Sequence, residues 1–524
     1  MTSNLRLRLV AALAVCTIAP VLAHCATTSS SPAGSDFTSS SSSGGLTGSS
    51  GSGTSSSSGS TASSSGSGTS SGSSGDDQLG DATTGGDDGG LITVNAPDAD
   101  PSCGPNVKYP QTTFVNLGVP LGSPVTKGQS DAIPADAGAI PAVPGWDFHQ
   151  GGLCRDGSPA GFYVHFSASS SDKLYIYLEG GGACDSATFC SHNPANIQQV
   201  FAGGPQTQGQ TIAGSTLAFA TTGQVPYTLI PASGATAAYS PGIFDFTNTA
   251  NPFKDWNAVY VPYCTGDVHF GTNNDVDIPS DGVLPDEPHQ HFVGHTNLAG
   301  YIGRIVPTFP NMSQVLLTGA SAGGFAAGLN YGMVQDSFGK TPVVVIDDSG
   351  PPFSAMYLPA CLQKEWRELW GFDAALPSDC KECKNDDGSG LTDVVYYWLH
   401  KYPNAKVGFV STMQDEVIRL FFSQELNSCG SNNATALTLG QALCGGYTCD
   451  MYTAGLNDLL STFKCTDRLA TYYIGGTNAN YMNPSFHQHI FRNEFYQAIT
   501  NDGSMTMAQW ASDFVSGKLE NVGP

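Results

Sequence analysis

Gly319-Ala320-Ser321-Ala322-Gly323 fits the pattern Gly-x-Ser-x-Gly, which makes Ser321 a candidate nucleophile. The pattern works chemically where a strand ends and a helix begins. The sharp turn lifts the hydroxyl clear of the backbone, and only small neighbours tolerate the crowding. The flanks meet that requirement: the apolar run Gln314–Thr318 precedes the motif, and the helix-forming run Phe325–Met333 follows it. A hydroxyl nucleophile needs a base, and the base needs an orienting acid. His487 and His489 stand late in the chain, with Asp347, Asp348 and Asp415 between them and Ser321. A developing oxyanion also needs backbone N–H donors. Ala322, just after the serine, supplies one. Glu179-Gly180-Gly181-Gly182 supplies the rest, because glycine lets the backbone approach a carbonyl carbon closely. We assign Gly181 and Gly182 as donors beside Ala322.

These residues must be held by a scaffold. Strands are expected at Lys173–Leu178, Ala258–Tyr263, Gln314–Thr318, Val343–Ile346, Lys406–Ser411 and Thr471–Ile474. Helices are expected at Asn297–Val306, stopping before Pro307, and at Phe325–Met333. The alternation implies a mostly parallel sheet with helices on both faces. With the serine turn, that is the α/β-hydrolase class, in which the chain order is nucleophile, acid, histidine. The usual acid follows the second strand after the nucleophile. That rule selects Asp415 and leaves Asp348 as the alternative. His400 precedes the Asp415 strand and is out of order, so a structural role is expected. His487 and His489 lie two apart, so at most one faces the serine, and the other serves as a loop hydrogen-bond donor. Long Gly/Pro-rich inserts at Phe201–Pro252 and Gly271–Gln290 are expected to build the substrate cleft.

The ends of the chain bear on location. Arg6 and Arg8 precede a short apolar run, Leu9 to Ala19, and Val21 and Ala23 fit a small-residue cleavage site. Residues 1–25 therefore read as an export signal. Leu22-Ala23-His24-Cys25 is similar to a bacterial lipobox, though His24 stands where a small residue is expected. The chain is read as an exported bacterial protein, either lipidated at Cys25 in the cell envelope or simply secreted. From Ala26 to about Gly90 the sequence is almost all Ser, Gly, Thr and Ala, with Asp near its end, and residues 26–100 read as a disordered tether, because such a segment buries too little apolar surface to offset its ordering entropy. Residues 103–524 then form one catalytic domain. Lys and Arg total 20 against 44 Asp and Glu, a net charge of −24, which argues against a nucleic-acid partner.

Of 14 Cys, Cys16 lies in the signal and Cys25 is the candidate lipid site, leaving 12 that can pair in an exported domain. Cys184 and Cys190 should pair and stiffen the loop after the glycines. Cys380-Lys381-Glu382-Cys383 reads as a disulfide element rather than a zinc site. Asp267-Val268-His269 and His289-Gln290-His291 could touch a metal, yet no complete ligand set is visible, so none is expected.

Four segments in order resemble the pectin acetylesterase and Notum-like carboxylesterase family. They are LEGGGACDSATFC at Leu178–Cys190, NPFKDWNAVYVPYCTGDVHFG at Asn251–Gly271, LLTGASAGGFAAGLNY at Leu316–Tyr331 and STMQDEVIRLF at Ser411–Phe421. The resemblance covers about residues 145 to 500. It implies ester hydrolysis, with family roles for Ser321, Asp415, Gly181, Gly182 and Ala322. Ala183 stands where the plant enzymes carry a Trp, which implies a wider pocket entrance. The family's histidine lies in a short His-Cys segment, whereas NPSFHQHIFR at Asn483–Arg492 offers two histidines. Position relative to Phe495-Tyr496 favours His487, with His489 as the alternative base.

The expected activity is a cofactor-free serine esterase acting as a monomer on an ester substrate, an acylated glycan or similar extracellular molecule. Contact with a membrane is expected only through a lipid on Cys25. Two other readings stand beside it: an inactive surface binding or adhesion protein on the same fold, and a lipase or polyester depolymerase. The intact motifs weigh against the first. Inserts rich in Gly, Thr and Asp, where long apolar lids would be needed, weigh against the second.

Overall fold

A computed structural model of the chain describes residues 91–93, 113–132, 140, 142–191, 193–202, 242–281, 284–391, 393–415, 417–419, 421–422, 447–463, 468–475, 487–491, 493–500 and 503–523. The export signal, Cys25 and most of the Phe201–Pro252 insert lie outside these residues.

Nine strands form the central sheet. In chain order they are β3 (Asp147–Leu153), β4 (Pro159–His165), β5 (Lys173–Leu178), β6 (Asn257–Val261), β9 (Gln314–Ala320), β10 (Val343–Asp348), β11 (Lys406–Thr412), β12 (Leu469–Ile474) and β13 (Asn521–Val522). Their spatial order is β13-β12-β11-β10-β9-β5-β6-β4-β3. The seven strands from β13 to β6 run parallel, and β4 and β3 add an antiparallel flank. All six strands expected from the sequence are present, in the α/β-hydrolase-like arrangement anticipated.

The pattern of β5 shows why this sheet forms. Its six residues KLYIYL are buried after the first. Leu174, Ile176 and Leu178 join one core, while Tyr175 and Tyr177 join the other. Alternate side chains of a strand point to opposite faces, so a run that is apolar throughout needs cover on both sides. Helices supply it. Ala322–Leu329, Tyr331–Phe338 and Asp393–Lys401 pack on the first face, and Met507–Val515 packs on the second.

Several local expectations need correction. The helix expected to stop before Pro307 runs Gly294–Thr308 with Pro307 inside its last turn. Proline removes the N–H that would reach the Gly303 carbonyl. That carbonyl instead accepts the Gly122 N–H at 2.8 Å, so nothing is left unpaired. The helix expected at Phe325–Met333 is two helices, Ala322–Leu329 and Tyr331–Phe338, parted at Asn330. The Asn330 amide donates to the carbonyls of Ala326 and His269, which turns the chain there. Within the Gly271–Gln290 insert, β7 (Asn273–Ile278) pairs with β8 (Glu287–Phe292) as an antiparallel hairpin. Its strands are polar and partly exposed, so no apolar run marked them. Finally, β1 (Leu91–Thr93), within residues 26–100, pairs with β2 (Thr113–Val115), which lies beyond that stretch.

Candidate active site

β9 sits in the middle of the sheet, between β5 and β10, and ends at Ala320. Ser321 follows with φ 60° and ψ −123°, and the helix Ala322–Leu329 begins at the next residue. A non-glycine residue at that φ is strained and persists only where its surroundings hold it. Three hydrogen bonds do so. The Ser321 N–H donates to the Asp348 carbonyl at 2.7 Å, and the Ser321 carbonyl accepts the N–H groups of Gly324 and Phe325.

The glycines around Ser321 are required by contact. A Cβ on Gly323 would stand 1.9 Å from the Leu178 carbonyl oxygen, and one on Gly319 2.3 Å from the Gly323 carbonyl oxygen. A Cβ on Gly180 would meet the Ala320 carbonyl oxygen at 2.1 Å, the Ser321 Cβ at 2.8 Å and the Gln488 Nε2 at 2.9 Å. The serine turn, the Gly180 turn and the Gln488 side chain therefore meet at one point. Of the three glycines in that turn, Gly180 makes the closest approach, although the donor role was expected of Gly181 and Gly182.

The glycine turn at the end of β5 is anchored carbonyl by carbonyl. His269 Nε2 donates to the Glu179 carbonyl at 2.8 Å, and Asn193 Nδ2 donates to the Gly181 carbonyl at 2.8 Å. Burial pulls the His269 imidazole down to about 4, so it stays neutral. Burial likewise pushes the Glu179 carboxyl well above the usual range, although its Oε2 accepts the Tyr263 N–H. The loop beyond is tied down by the disulfide Cys184–Cys190 and by buried Arg155, which donates to the carbonyls of Cys190 and Asn193. Gly182 has φ +82°, open to glycine at little cost. Ala322 is the first residue of its helix, where an N–H has no acceptor within the helix. Among the described residues, no group accepts from the N–H of Gly181, Gly182 or Ala322.

His487 Nδ1 lies 2.7 Å from Asp415 Oδ2. With the carboxylate as acceptor, Nδ1 carries the proton and Nε2 is left as an acceptor. Asp415 is fully buried just past β11, and its Oδ1 accepts the N–H groups of Val417 and Ile418. That pairing fixes the carboxylate, and Asp415 rather than Asp348 is the acid that touches a histidine ring. Asp348 Oδ2 accepts the backbone N–H groups of His489 and Ile490 instead, at 2.6 and 2.7 Å. The His489 side chain is wholly buried. His400 Nδ1 bonds the Tyr396 carbonyl within its own helix, away from this cluster.

The remaining motif residues have structural roles. Asp267 accepts from the Thr265 hydroxyl and from the N–H groups of His269 and Gly294, and so caps the start of Gly294–Thr308. Burial pushes it up to about 6. His289 pairs with Asp275 on the exposed hairpin. Cys380 and Cys383 are bonded to each other, as are Cys154 and Cys264, and Cys361 and Cys449 each take part in a disulfide of their own. The sequence offered no local cue for Arg155 or Asn193, and it marked Asp348 only as an alternative acid, not as a holder of the histidine loop.

Comparison with known proteins finds similarity over part of the chain. The pectinacetylesterase family model matches residues 146–218 and 233–386. A Xenopus laevis palmitoleoyl-protein carboxylesterase, notum2, is 26% identical over 251 residues, covering 44% of this chain and 43% of the relative. Pectin acetylesterase 4 of Arabidopsis thaliana is 25% identical over 205 residues, covering 38% of this chain and 41% of the relative. The chain thus spans less than half the length of these curated relatives. The solved Wnt deacylase Notum from Drosophila aligns with 17% identity and a TM-score of 0.42, covering 71% of this chain and 94% of that one. The fold assignment rests on the strand order given above.

Proposed function

Since this is a pectinacetylesterase- and Notum-like chain, we propose that it is a serine carboxylic-ester hydrolase that removes acetyl or other acyl groups from an extracellular glycan or similar substrate. The observation that carries the proposal is the 2.7 Å contact between His487 Nδ1 and Asp415 Oδ2, beside a serine held in a strained strand-to-helix turn. His487 Nε2 takes the Ser321 hydroxyl proton, and the alkoxide oxygen attacks the ester carbonyl carbon. The carbonyl oxygen becomes an oxyanion held by the N–H groups of Gly181, Gly182 and Ala322. As the intermediate collapses, the alcohol leaves with the proton from His487. Water then attacks the acyl-enzyme by the same route and releases the acid. Asp415 holds the imidazole in the productive tautomer and supports its charge.

A short acyl group suits the turn. A Cβ on Gly182 would meet the Phe421 ring at 3.2 Å, and Phe189 stands 5.1 Å from Phe421, so aromatic rings wall this side. Release of acid from acetylated polysaccharides and from esters of graded chain length tests the reading. Turnover should be highest on acetyl esters. Turnover only on long acyl chains would transfer the protein to the lipase reading, and none at all to the binding-protein reading.

We also propose export, with Cys25 as the lipid-bearing first residue of the mature chain and residues 26–100 as its tether. An intact mass beginning at Cys25 with added lipid is the expected result. A mature chain beginning elsewhere without lipid would leave simple secretion.

A further inference from the structure

We propose that Asp348 is a positioning residue that sets the spacing between nucleophile and base. The inference rests on the reading of Ser321, Asp415 and His487 as the triad. Asp348 ends β10 and is fully buried. Its backbone carbonyl accepts the Ser321 N–H at 2.7 Å. Its side chain reaches the other way, and Oδ2 accepts the N–H groups of His489 and Ile490 at 2.6 and 2.7 Å. The next residue extends the grip. The Ser349 hydroxyl donates to Asp348 Oδ1 at 2.9 Å, and its oxygen accepts the Gln488 N–H at 3.2 Å. The three N–H groups that follow His487 therefore all end on Asp348 and Ser349. One residue holds the serine turn by its main chain and the histidine loop by its side chain.

The loop needs such a hold. Residues 487–489 belong to no helix or strand, and Gln488 has φ +66°, a strained value for a side-chain-bearing residue. N–H bonds to an ionised carboxylate are the stronger kind. Burial holds the Asp348 carboxyl above its usual range, and those N–H groups, the Ser349 hydroxyl and the nearby charge of His487 offset that rise only in part. The adjacent Asp347 accepts the Gly350 N–H at its Oδ1, and burial and the charge of Asp348 push its own carboxyl up. Asp415 meets the His487 ring from the β11 loop, and Asp348, at the end of β10, lies close enough to interact with its charge.

The test is steady-state hydrolysis of a chromogenic acetate ester by the full chain, read as kcat, KM and the pH profile of kcat/KM, with circular dichroism to check folding. Asp348→Ala leaves two buried N–H groups without an acceptor and frees the loop. A displacement of about 1 Å at the reacting atoms is enough to cost roughly 100-fold, so kcat should fall by about that factor with KM nearly unchanged. Asp348→Asn keeps an oxygen for both N–H groups and loses the charge. It should recover kcat to within about tenfold of wild type. Its acid limb should move to lower pH, because the imidazolium has lost a stabilising carboxylate. Ser349→Ala should lower kcat by roughly tenfold. Wild-type kcat in Asp348→Ala, or Asp348→Asn no better than Ala with an unmoved acid limb, would overturn the proposal. If Asp348→Ala does not fold, Asp348→Asn and Ser349→Ala decide it, and wild-type kcat and acid limb in both overturn it. Ser321→Ala run alongside separates the two levels. If it is active, the triad reading falls. If it is inactive while the Asp348 and Ser349 variants match wild type, only the positioning role falls.

Discussion

The two halves of the proposed site, the serine turn read as nucleophile and the histidine loop read as base, are built differently. The nucleophile half is backbone packed on backbone: Gly319 and Gly323 let β9 and its helix press against the end of β5, and Gly180 lets the neighbouring turn close on Ala320. The base half is a loop held by side chains from far away in sequence. Asp415 reaches the His487 ring across 72 residues, and Asp348 reaches the following N–H groups across about 140. The first half is specified locally by small residues at fixed spacing. The second is specified by tertiary contacts that no short motif encodes.

The largest effect is expected where the halves act as one unit. Ser321→Ala and His487→Ala should each lower esterase kcat by roughly 10³-fold or more, and Asp415→Asn should move in the same direction, because the base fails without its tautomer fixed. Steady-state kinetics on a chromogenic acetate ester measures all three. An active His487→Ala beside a dead His489→Ala would put the base one alternation along the loop.

A smaller effect should expose the backbone packing of the nucleophile half. Gly323→Ala places a methyl group 1.9 Å from a carbonyl oxygen of β5. Overpacking against backbone that cannot move should lower stability by roughly 3 kcal/mol, read from urea unfolding. Wild-type stability in that variant would mean the elbow can yield, and the contrast between the halves would weaken.

On the base side, His489→Ala should lower kcat by at most about tenfold, since the ring is buried and its backbone N–H, which the substitution keeps, makes the bond to Asp348. Smallest of all is Gly328→Ala, in the same helix as Gly323. Nothing lies within 4 Å of its added Cβ. Replacing a helical glycine should then raise stability by up to about 1 kcal/mol. A loss there as large as at Gly323 would show that helix propensity, not contact with β5, governs this segment.

That contrast also marks what the sequence could tell. The parallel core was legible because strands such as β5 are apolar on both faces, and the serine turn was legible because its glycines lie within five residues of one another. Asp415 followed from the order of strands. The choice between His487 and His489 needed a resemblance, since two residues in a loop carry no periodicity to orient them. The hairpin β7–β8 was missed because its strands are polar, and the extent of Gly294–Thr308 because a carbonyl freed by Pro307 finds its partner at Gly122, far back in the chain. Arg155 and Asn193 left no local trace, and Asp348 was marked only as an alternative acid, because each acts on backbone groups that only folding brings near.

The central claim is that Ser321 is a nucleophile activated by His487. Its most direct test is treatment of the folded full-length protein with a fluorophosphonate, followed by peptide mass mapping. The account predicts one adduct, on Ser321, formed far more slowly in His487→Ala. A folded protein that takes no adduct, or takes it on another residue, would contradict it.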